Sequence, residues 1–324
     1  MMEPKVSVIV PVYKAEKYIE RCCTSLFGQT LDCIEYIFID DKSPDDSVGL
    51  IQEVLTCYPH RKGWVKIIAN EENKGVTYSR QKGLEAATGE FVIHCDSDDW
   101  VDVETYERVY NCAIEEDADV VRFGYVVECS NGRKNSVAYS SRDYYMTNVI
   151  FNIAPRTGSL CVGLVRRKVL EQYSIKLPQN TNWGEDFCVS ISSLLVSKKT
   201  ICLPDCYYHY WQNSESITHT ITKEKCLELV KIGGIVEEFL KSVGLLSKYT
   251  FQLNYLKFQS KAVLLRNKSV RDFSLWKSIY PECHKDVMKY DYPFYFRVAS
   301  WLVSNYFKRL ACFLFFLKDK KDKI

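Results

Sequence analysis

The chain has almost no net charge: 43 Lys and Arg stand against 41 Asp and Glu, which leaves +2 over 324 residues. Without a global positive field, nucleic acid is not an expected partner. No apolar run reaches the ~18–20 residues that a membrane-spanning helix needs. The nearest, Trp301 to Leu317, is interrupted by Lys308 and Arg309. No Gly-x-Gly-x-x-Gly follows the first apolar strand, where Pro11 to Glu16 stands instead, and this sets aside a Rossmann-type oxidoreductase. Internal repeats and low-complexity stretches are also missing. No N-terminal stretch reads as a secretory signal, so the 14 cysteines are expected as reduced, mostly buried thiols of a cytoplasmic protein rather than as a disulfide scaffold. One spacing suits a metal, Cys202, Cys206 and His209, but it lacks the fourth ligand and the tight knuckle of a zinc site.

What is present is ordinary core material, 47% hydrophobic and 26% charged, in a chain long enough for one large core and a smaller appended unit. The first hundred residues alternate strand and helix signals, which predicts an α/β fold: a mostly parallel sheet with helices on both faces. Strands are expected at Val6 to Val12, Ile34 to Ile39, Val65 to Ala69 and Phe91 to His94. Helices are expected near Glu16 to Phe27, after Ser43 as N-cap with Pro44 in the first turn, at Val76 to Ala87 with Gly89 as its stop, and near Val103 to Glu116. Val120 to Glu128 reads as strand leading into a polar hairpin at Ser130 to Asn135, and the section from about Ser140 to Ser216 mixes short elements. From about Thr222 the composition turns helical. The expected division is a binding and catalytic domain over 1–220 and a helical region over 221–324, with the boundary near Ser216 to Thr222.

The acids fall where such a fold binds ligands. Asp40 and Asp41 end the second strand, and Asp96, Asp98 and Asp99 follow the fourth. In an open α/β sheet the ligand crevice lies beyond the carboxyl ends of the strands. Three carboxylates this close repel unless a cation lies among them, and so few hard oxygen ligands suit Mg²⁺ or Mn²⁺ with water and phosphate completing the shell. The plainer alternative is a solvated loop with Asp at a helix N-cap. Tyr13, after Pro11 and Val12, offers a flat face to a base, and Asp40 an acceptor for a ring N–H. Lys74, Arg80 and Lys82 lie near enough in sequence to help neutralise a phosphate, though an exposed helix face explains Lys82 better.

The order of these motifs resembles glycosyltransferase family 2 on a GT-A fold. It runs from Val6-Ser7-Val8-Ile9-Val10-Pro11-Val12-Tyr13 through Asp40-Asp41-Lys42-Ser43-Pro44-Asp45 and Asn73-Lys74-Gly75 with Ser79-Arg80 to Asp96-Ser97-Asp98-Asp99-Trp100. Further on, Gly184-Glu185-Asp186-Phe187, Tyr208-His209-Tyr210 and Ser216-Ile217-Thr218 also match, so the likeness covers roughly residues 4–220. It implies an inverting transferase that moves a sugar from a nucleotide diphosphate donor, most often UDP-linked, to a hydroxyl of a glycan or lipid-linked saccharide in surface polysaccharide synthesis. Pro11, Tyr13 and Asp40 would then hold the nucleoside, with Arg80 near the diphosphate. Asp96 would contact ribose or metal, Asp98 would ligate a divalent metal, and Asp186 would be the base, with Glu185 beside it. A sugar hydroxyl is a poor nucleophile at neutral pH and needs such a carboxylate, while single displacement requires no enzyme nucleophile. The alternative for Glu185 and Asp186 is a helix N-terminus stabilised by acids.

Four positions depart from the family pattern. Lys14 stands where Asn is frequent, Lys42 where Gly is, Gln81 in place of an Asn, and Trp211 where an Arg is common. His209 and His219 are read as packed or surface histidines rather than ligands. At the C-terminus six basic residues from Lys308 onward face Asp319 and Asp322, a local balance of +4. Residues 301–324 therefore read either as a helix lying on a membrane surface or as a terminal helix packed on the protein's own core. A catalytically inactive sugar-binding or scaffolding subunit is the alternative to the enzyme, and intact Asp98 and Asp186 speak against it.

Overall fold

The computed structural model describes residues 3–138, 158–179, 181, 183–212 and 222–321. The chain divides into two compact units, Met1–Ile150 with Arg156–Ile217, and Phe151–Pro155 with Thr218–Ile324. The expected boundary at Ser216 to Thr222 falls almost wholly outside the described residues, as do His219 and the Ser216-Ile217-Thr218 motif.

The first unit is built on a nine-stranded sheet. Its opening run is β1 (Val6–Val12), α1 (Ile19–Phe27), β2 (Ile34–Asp40), α2 (Ser47–Thr56), β3 (Val65–Ala69), α3 (Val76–Ala86) and β4 (Phe91–His94). Then follow β5 (Trp100–Val101), α4 (Thr105–Glu115), β6 (Val120–Cys129), β7 (Lys134–Val137), β8 (Gly163–Arg166), α5 (Arg167–Gln172), α6 (Glu185–Val196) and β9 (Thr200–Gln212). The spatial order is β3-β2-β1-β4-β8-β6-β9-β5, with β7 beside β6. β1 to β4 are mutually parallel, β6 and β9 run with them, and β8, β7 and β5 are antiparallel to their neighbours. β1 is buried at every position because it is central and covered on both faces, which explains its unbroken β-branched run.

Three local expectations give way to tertiary contacts. Ser43 caps no helix: α2 starts at Ser47, and the Ser43 hydroxyl instead accepts from Lys14 N at 2.8 Å and donates to Asp45 at 2.5 Å, tying the β1 and β2 loops together. Gly89 is not the stop of α3, which ends at Ala86; a Cβ on Gly89 would stand 2.7 Å from Ser7 N, so glycine is kept there for close approach to β1. The helix expected from Val103 begins at Thr105, because Trp100 and Val101 pair antiparallel with His209 and Tyr208 as β5. The polar hairpin turns at Gly132, with φ +77°, between β6 and β7.

The second unit contains α7 (Lys223–Ser242), α8 (Thr250–Arg266), α9 (Phe273–Ser278), α10 (Phe294–Ser304) and α11 (Lys308–Lys321). Its own core centres on Phe258, Trp276, Tyr290 and Phe296. No described helix is long and apolar enough to cross a membrane. Among the described residues no cysteine forms a disulfide, and eight cysteines are buried.

Candidate active site at the carboxyl ends of the parallel strands

Val12 and Asp40 are partners in the parallel ladder, so β1 and β2 end level with one another. Pro11 is buried within β1, whereas Tyr13, just beyond its end, is 43% exposed. Asp40 is half-buried and accepts from Ser43 N at 2.8 Å. Its neighbour Asp41 serves the scaffold: buried, it accepts from Asn70 Nδ2, Lys74 N and Gly75 N, each at 2.8 Å, and so fixes the entry to α3.

Lys14 and Lys42 follow these two strand ends, and both are left-handed, with φ of 53° and 58°. Asn and Gly are the residues that adopt this conformation most readily. Two of the four departures from the family pattern, Lys14 and Lys42, therefore fall where the backbone favours the residues the sequence lacks.

Helix α3 lies tightly on the sheet, since a Cβ on Gly83 would meet Ile9 Cγ2 at 2.4 Å. One turn earlier the same helix presents Arg80 at the strand ends. The Arg80 guanidinium is buried and engages three carboxylates: Nη2 donates to Asp96 Oδ1 at 2.6 Å, while Nη1 donates to Glu185 Oε1 at 2.8 Å and to Asp186 Oδ1. Arg80, expected as a cation near a diphosphate, has both terminal nitrogens occupied by acids of the chain. Gln81 carries the departure from Asn usefully, because its buried Oε1 accepts from Leu177 N at 2.9 Å and anchors the approach to α6. Lys74 pairs with Glu72 at the surface. Lys82 donates to Ala69 O at 3.0 Å and Asn70 Oδ1 at 2.8 Å, a structural tie to the end of β3.

Glu185 and Asp186 open α6 behind Gly184, whose φ of +90° sets the turn. Both carboxylates reach Arg80. Asp186 retains 22% side-chain exposure, against 7% for Glu185. Burial pushes both carboxyls above the ordinary carboxylate range, and Arg80 opposes that rise.

The loop after β4 is held by residues whose roles were not foreseen. Asp99 is buried; its Oδ2 accepts from the Tyr208 hydroxyl and its Oδ1 from Trp211 N at 2.7 Å, while Tyr208 also accepts from Asp96 N at 3.2 Å. Arg21 of α1 donates to Asp98 O at 2.9 Å, with its guanidinium 3.7 Å from the Trp100 ring and 4.9 Å from that of Trp211. His209 stacks on Trp100, 5.0 Å between centroids, and sits 3.0 Å from both Glu128 and Asp102. The tyrosine of the Tyr208-His209-Tyr210 motif was a usable sequence signal; Arg21 carried none.

Among the described residues no three His, Cys, Asp or Glu groups are gathered to hold a metal, Cys202, Cys206 and His209 included. Mg²⁺ and Mn²⁺ differ from zinc in taking one or two carboxylates and completing their shell with water and phosphate. Asp98 fits that demand: it is half-buried, and its carboxyl is pushed up to about 6 by burial and then by Asp96. Asp99 does not fit, because both its oxygens are taken. Five carboxyls, Asp96, Asp98, Asp99, Glu185 and Asp186, thus share Arg80 and Arg21, an arrangement that favours an added cation.

Comparison with known proteins agrees with this architecture. The family model described as Glycosyl transferase family 2 matches residues 7–174. The putative glycosyltransferase EpsH of Bacillus subtilis (strain 168) is 28% identical over 276 residues, spanning 83% of this chain and 78% of that protein. S. aureus TarS 1-349 in complex with UDP-GlcNAc superposes with a TM-score of 0.60 at 20% identity, over 94% of this chain and 92% of that one. The mannosyltransferase PcManGT from Pyrobaculum calidifontis, in complex with GDP-Man and Mn²⁺, gives 0.52 at 18% identity over 95% and 89%. These last two likenesses are of fold.

Proposed function

The chain belongs to glycosyl transferase family 2, and on that footing we propose that it is an inverting transferase that moves a sugar from a UDP-sugar to a hydroxyl of a glycan or lipid-linked saccharide. In this reading residues 1–220 bind and react, 221–324 form an accessory helical region, and the enzyme works on the cytoplasmic side of a membrane in surface polysaccharide synthesis. The observation that carries the proposal is the Arg80 node, which joins Asp96 after β4 to Glu185 and Asp186 of α6.

Pro11, Tyr13 and Asp40 hold the nucleoside at the ends of β1 and β2. Asp96 contacts ribose or metal, and Asp98 holds the divalent metal; when bound, Mn²⁺ or Mg²⁺ neutralises charge on the departing diphosphate. Asp186, the more exposed of the α6 acids, takes the acceptor's hydroxyl proton as the new bond to the anomeric carbon forms and the bond to the diphosphate oxygen breaks. Its raised proton affinity makes it a stronger base than a surface aspartate. Arg80 contributes positive charge near the phosphates through the field rather than by direct clamping, and keeps Asp96 and Asp186 oriented.

The test measures nucleotide release from a panel of UDP-sugars with Mn²⁺, alongside binding of each donor. Asp186→Asn is expected to keep donor binding and lower kcat by about 10²–10⁴, whereas Asp98→Asn weakens donor binding in the presence of metal. Donor binding with no turnover on any acceptor supports the inactive sugar-binding subunit instead. Failure to bind any nucleotide sugar defeats both readings.

A further inference from the structure

We propose that the outer face of α11, with the elbow joining it to α10, docks on an anionic phospholipid surface. This is independent of the chemistry of the strand-end crevice. Helix α11 is already anchored on its inner side: Ala311 and Phe315 are buried, and Arg271 holds Asp319 through two hydrogen bonds of 2.9 and 3.1 Å while lying over the Phe315 ring.

A helix that only closes a core turns a polar face outward. This one does not. Leu310, Phe313 and Leu317 recur at three- and four-residue spacing on one stripe, and all three are about half exposed. At the elbow, Phe307 stacks on Trp301, 6.3 Å between centroids, and Tyr306 is 86% exposed. The result is one apolar patch with an amphipathic aromatic edge, the composition found at lipid–water interfaces.

Charge selects the occupant. Lys308 and Arg309 stand in the first turn of α11, which has no acid, so they oppose the helix dipole unless an external anion lies there. The sequence continues with Lys318, Lys320, Lys321 and Lys323 against Asp319 and Asp322, and Asp319 is engaged by Arg271. A second copy of the chain would bring the same excess of basic residues against itself, whereas lipid phosphates complement it. At about 1.5 Å per residue the 14-residue helix is some 21 Å long and lies along the surface rather than crossing it.

The full chain is to be sedimented with vesicles of phosphatidylcholine alone and of phosphatidylcholine mixed with phosphatidylglycerol, at low and high salt. Binding is expected to the mixed vesicles and to weaken with salt. Phe313→Asp with Leu317→Asp, or Lys308→Glu with Arg309→Glu, is expected to lower it by about tenfold or more, while melting temperature and UDP-sugar binding stay at wild-type values. No binding by the wild type, or equal binding by both variants, overturns the proposal and leaves the transferase reading intact. Concentration-dependent dimerisation without vesicle binding, abolished by Phe313→Asp with Leu317→Asp, overturns it in favour of a contact between copies.

Discussion

The two units treat buried charge in opposite ways. In the second, Lys257 of α8 is buried with Glu237 at 2.7 Å and Glu282 at 2.6 Å, and its hydrogen bond holds Glu237 below the usual carboxylate range. Lys261, one turn on and wholly buried, donates to Trp276 O at 3.1 Å and Ile279 O at 2.5 Å, where α9 ends. Both of these lysines are held by acceptors of the chain. In the first unit Arg80 alone faces Asp96, Glu185 and Asp186, with Asp98 and Asp99 adjacent, and burial drives Asp98, Asp99, Glu185 and Asp186 upward. A fold able to settle charge in one place and leave it unsettled in another identifies the unsettled place as the one awaiting a ligand.

The largest expected effect tests this contrast directly. Arg80→Met leaves three carboxylates without their shared cation and is expected to cost about 3–5 kcal/mol in urea unfolding of the first unit. Lys257→Met frees Glu237 and Glu282, which are partly exposed and regain water, so about 1–2 kcal/mol is expected there. Equal losses would break the contrast. A larger loss at Arg80 that Glu185→Gln partly restores would sharpen it.

The contrast also predicts opposite responses to pH. Asp98, Asp99, Glu185 and Asp186 have folded-state proton affinities above the unfolded ones, so their contribution to stability is fully present below the unfolded value near ~4 and is lost as pH rises through the folded values, about 6 for Asp98. Without ligand, the first unit should melt lower at about pH 8 than at about pH 5. Asp98→Asn should shrink that difference by about 1–3 kcal/mol, and UDP with Mn²⁺ should restore the melting temperature at the higher pH. Burial lowers Lys261 to about 8. The unfolded chain then binds the extra proton between about pH 8 and 10, so the second unit gains stability as pH rises through that window. Lys261→Met should abolish the gain. Scanning calorimetry resolves both slopes.

What the sequence disclosed and what it hid divide by range of interaction. β1 to β4 and the acids at their carboxyl ends were legible because a buried parallel strand is a local apolar run and the crevice follows from topology. Helix starts failed where a distant partner decided them: Ser43 was taken up by the β1 loop, and Trp100 by pairing with His209. At the site, Asp96, Asp98, Glu185, Asp186 and Arg80 were each named, yet the node that Arg80 makes joins residues 16 and more than 100 positions apart. The lock of Tyr208 on Asp99 spans 109 positions, and the seat of Arg21 between Trp100 and Trp211 is equally non-local. No spacing rule reaches that far. The departures at Lys14 and Lys42 were visible in the sequence, but their backbone conformation was not.

Those two lysines carry the smallest expected effect and the finest test. A non-glycine residue in the left-handed region costs about 1–2 kcal/mol, partly offset by the greater chain entropy that glycine loses on folding. Lys14→Gly and Lys42→Gly should each therefore stabilise by about 0.5–1 kcal/mol in urea titrations. Ser174, exposed after α5 with φ 50°, provides a reference with the same backbone cost away from the strand ends. Ser174→Gly should gain a similar amount and leave UDP-sugar affinity unchanged. If the two lysine variants gain stability and also lose donor affinity, the strain at the ends of β1 and β2 is retained for the charge it carries over the crevice. If affinity is unchanged in all three, the strain at the rim has no more to do with the ligand than the strain at Ser174, and the contrast between the units rests on the carboxylates alone.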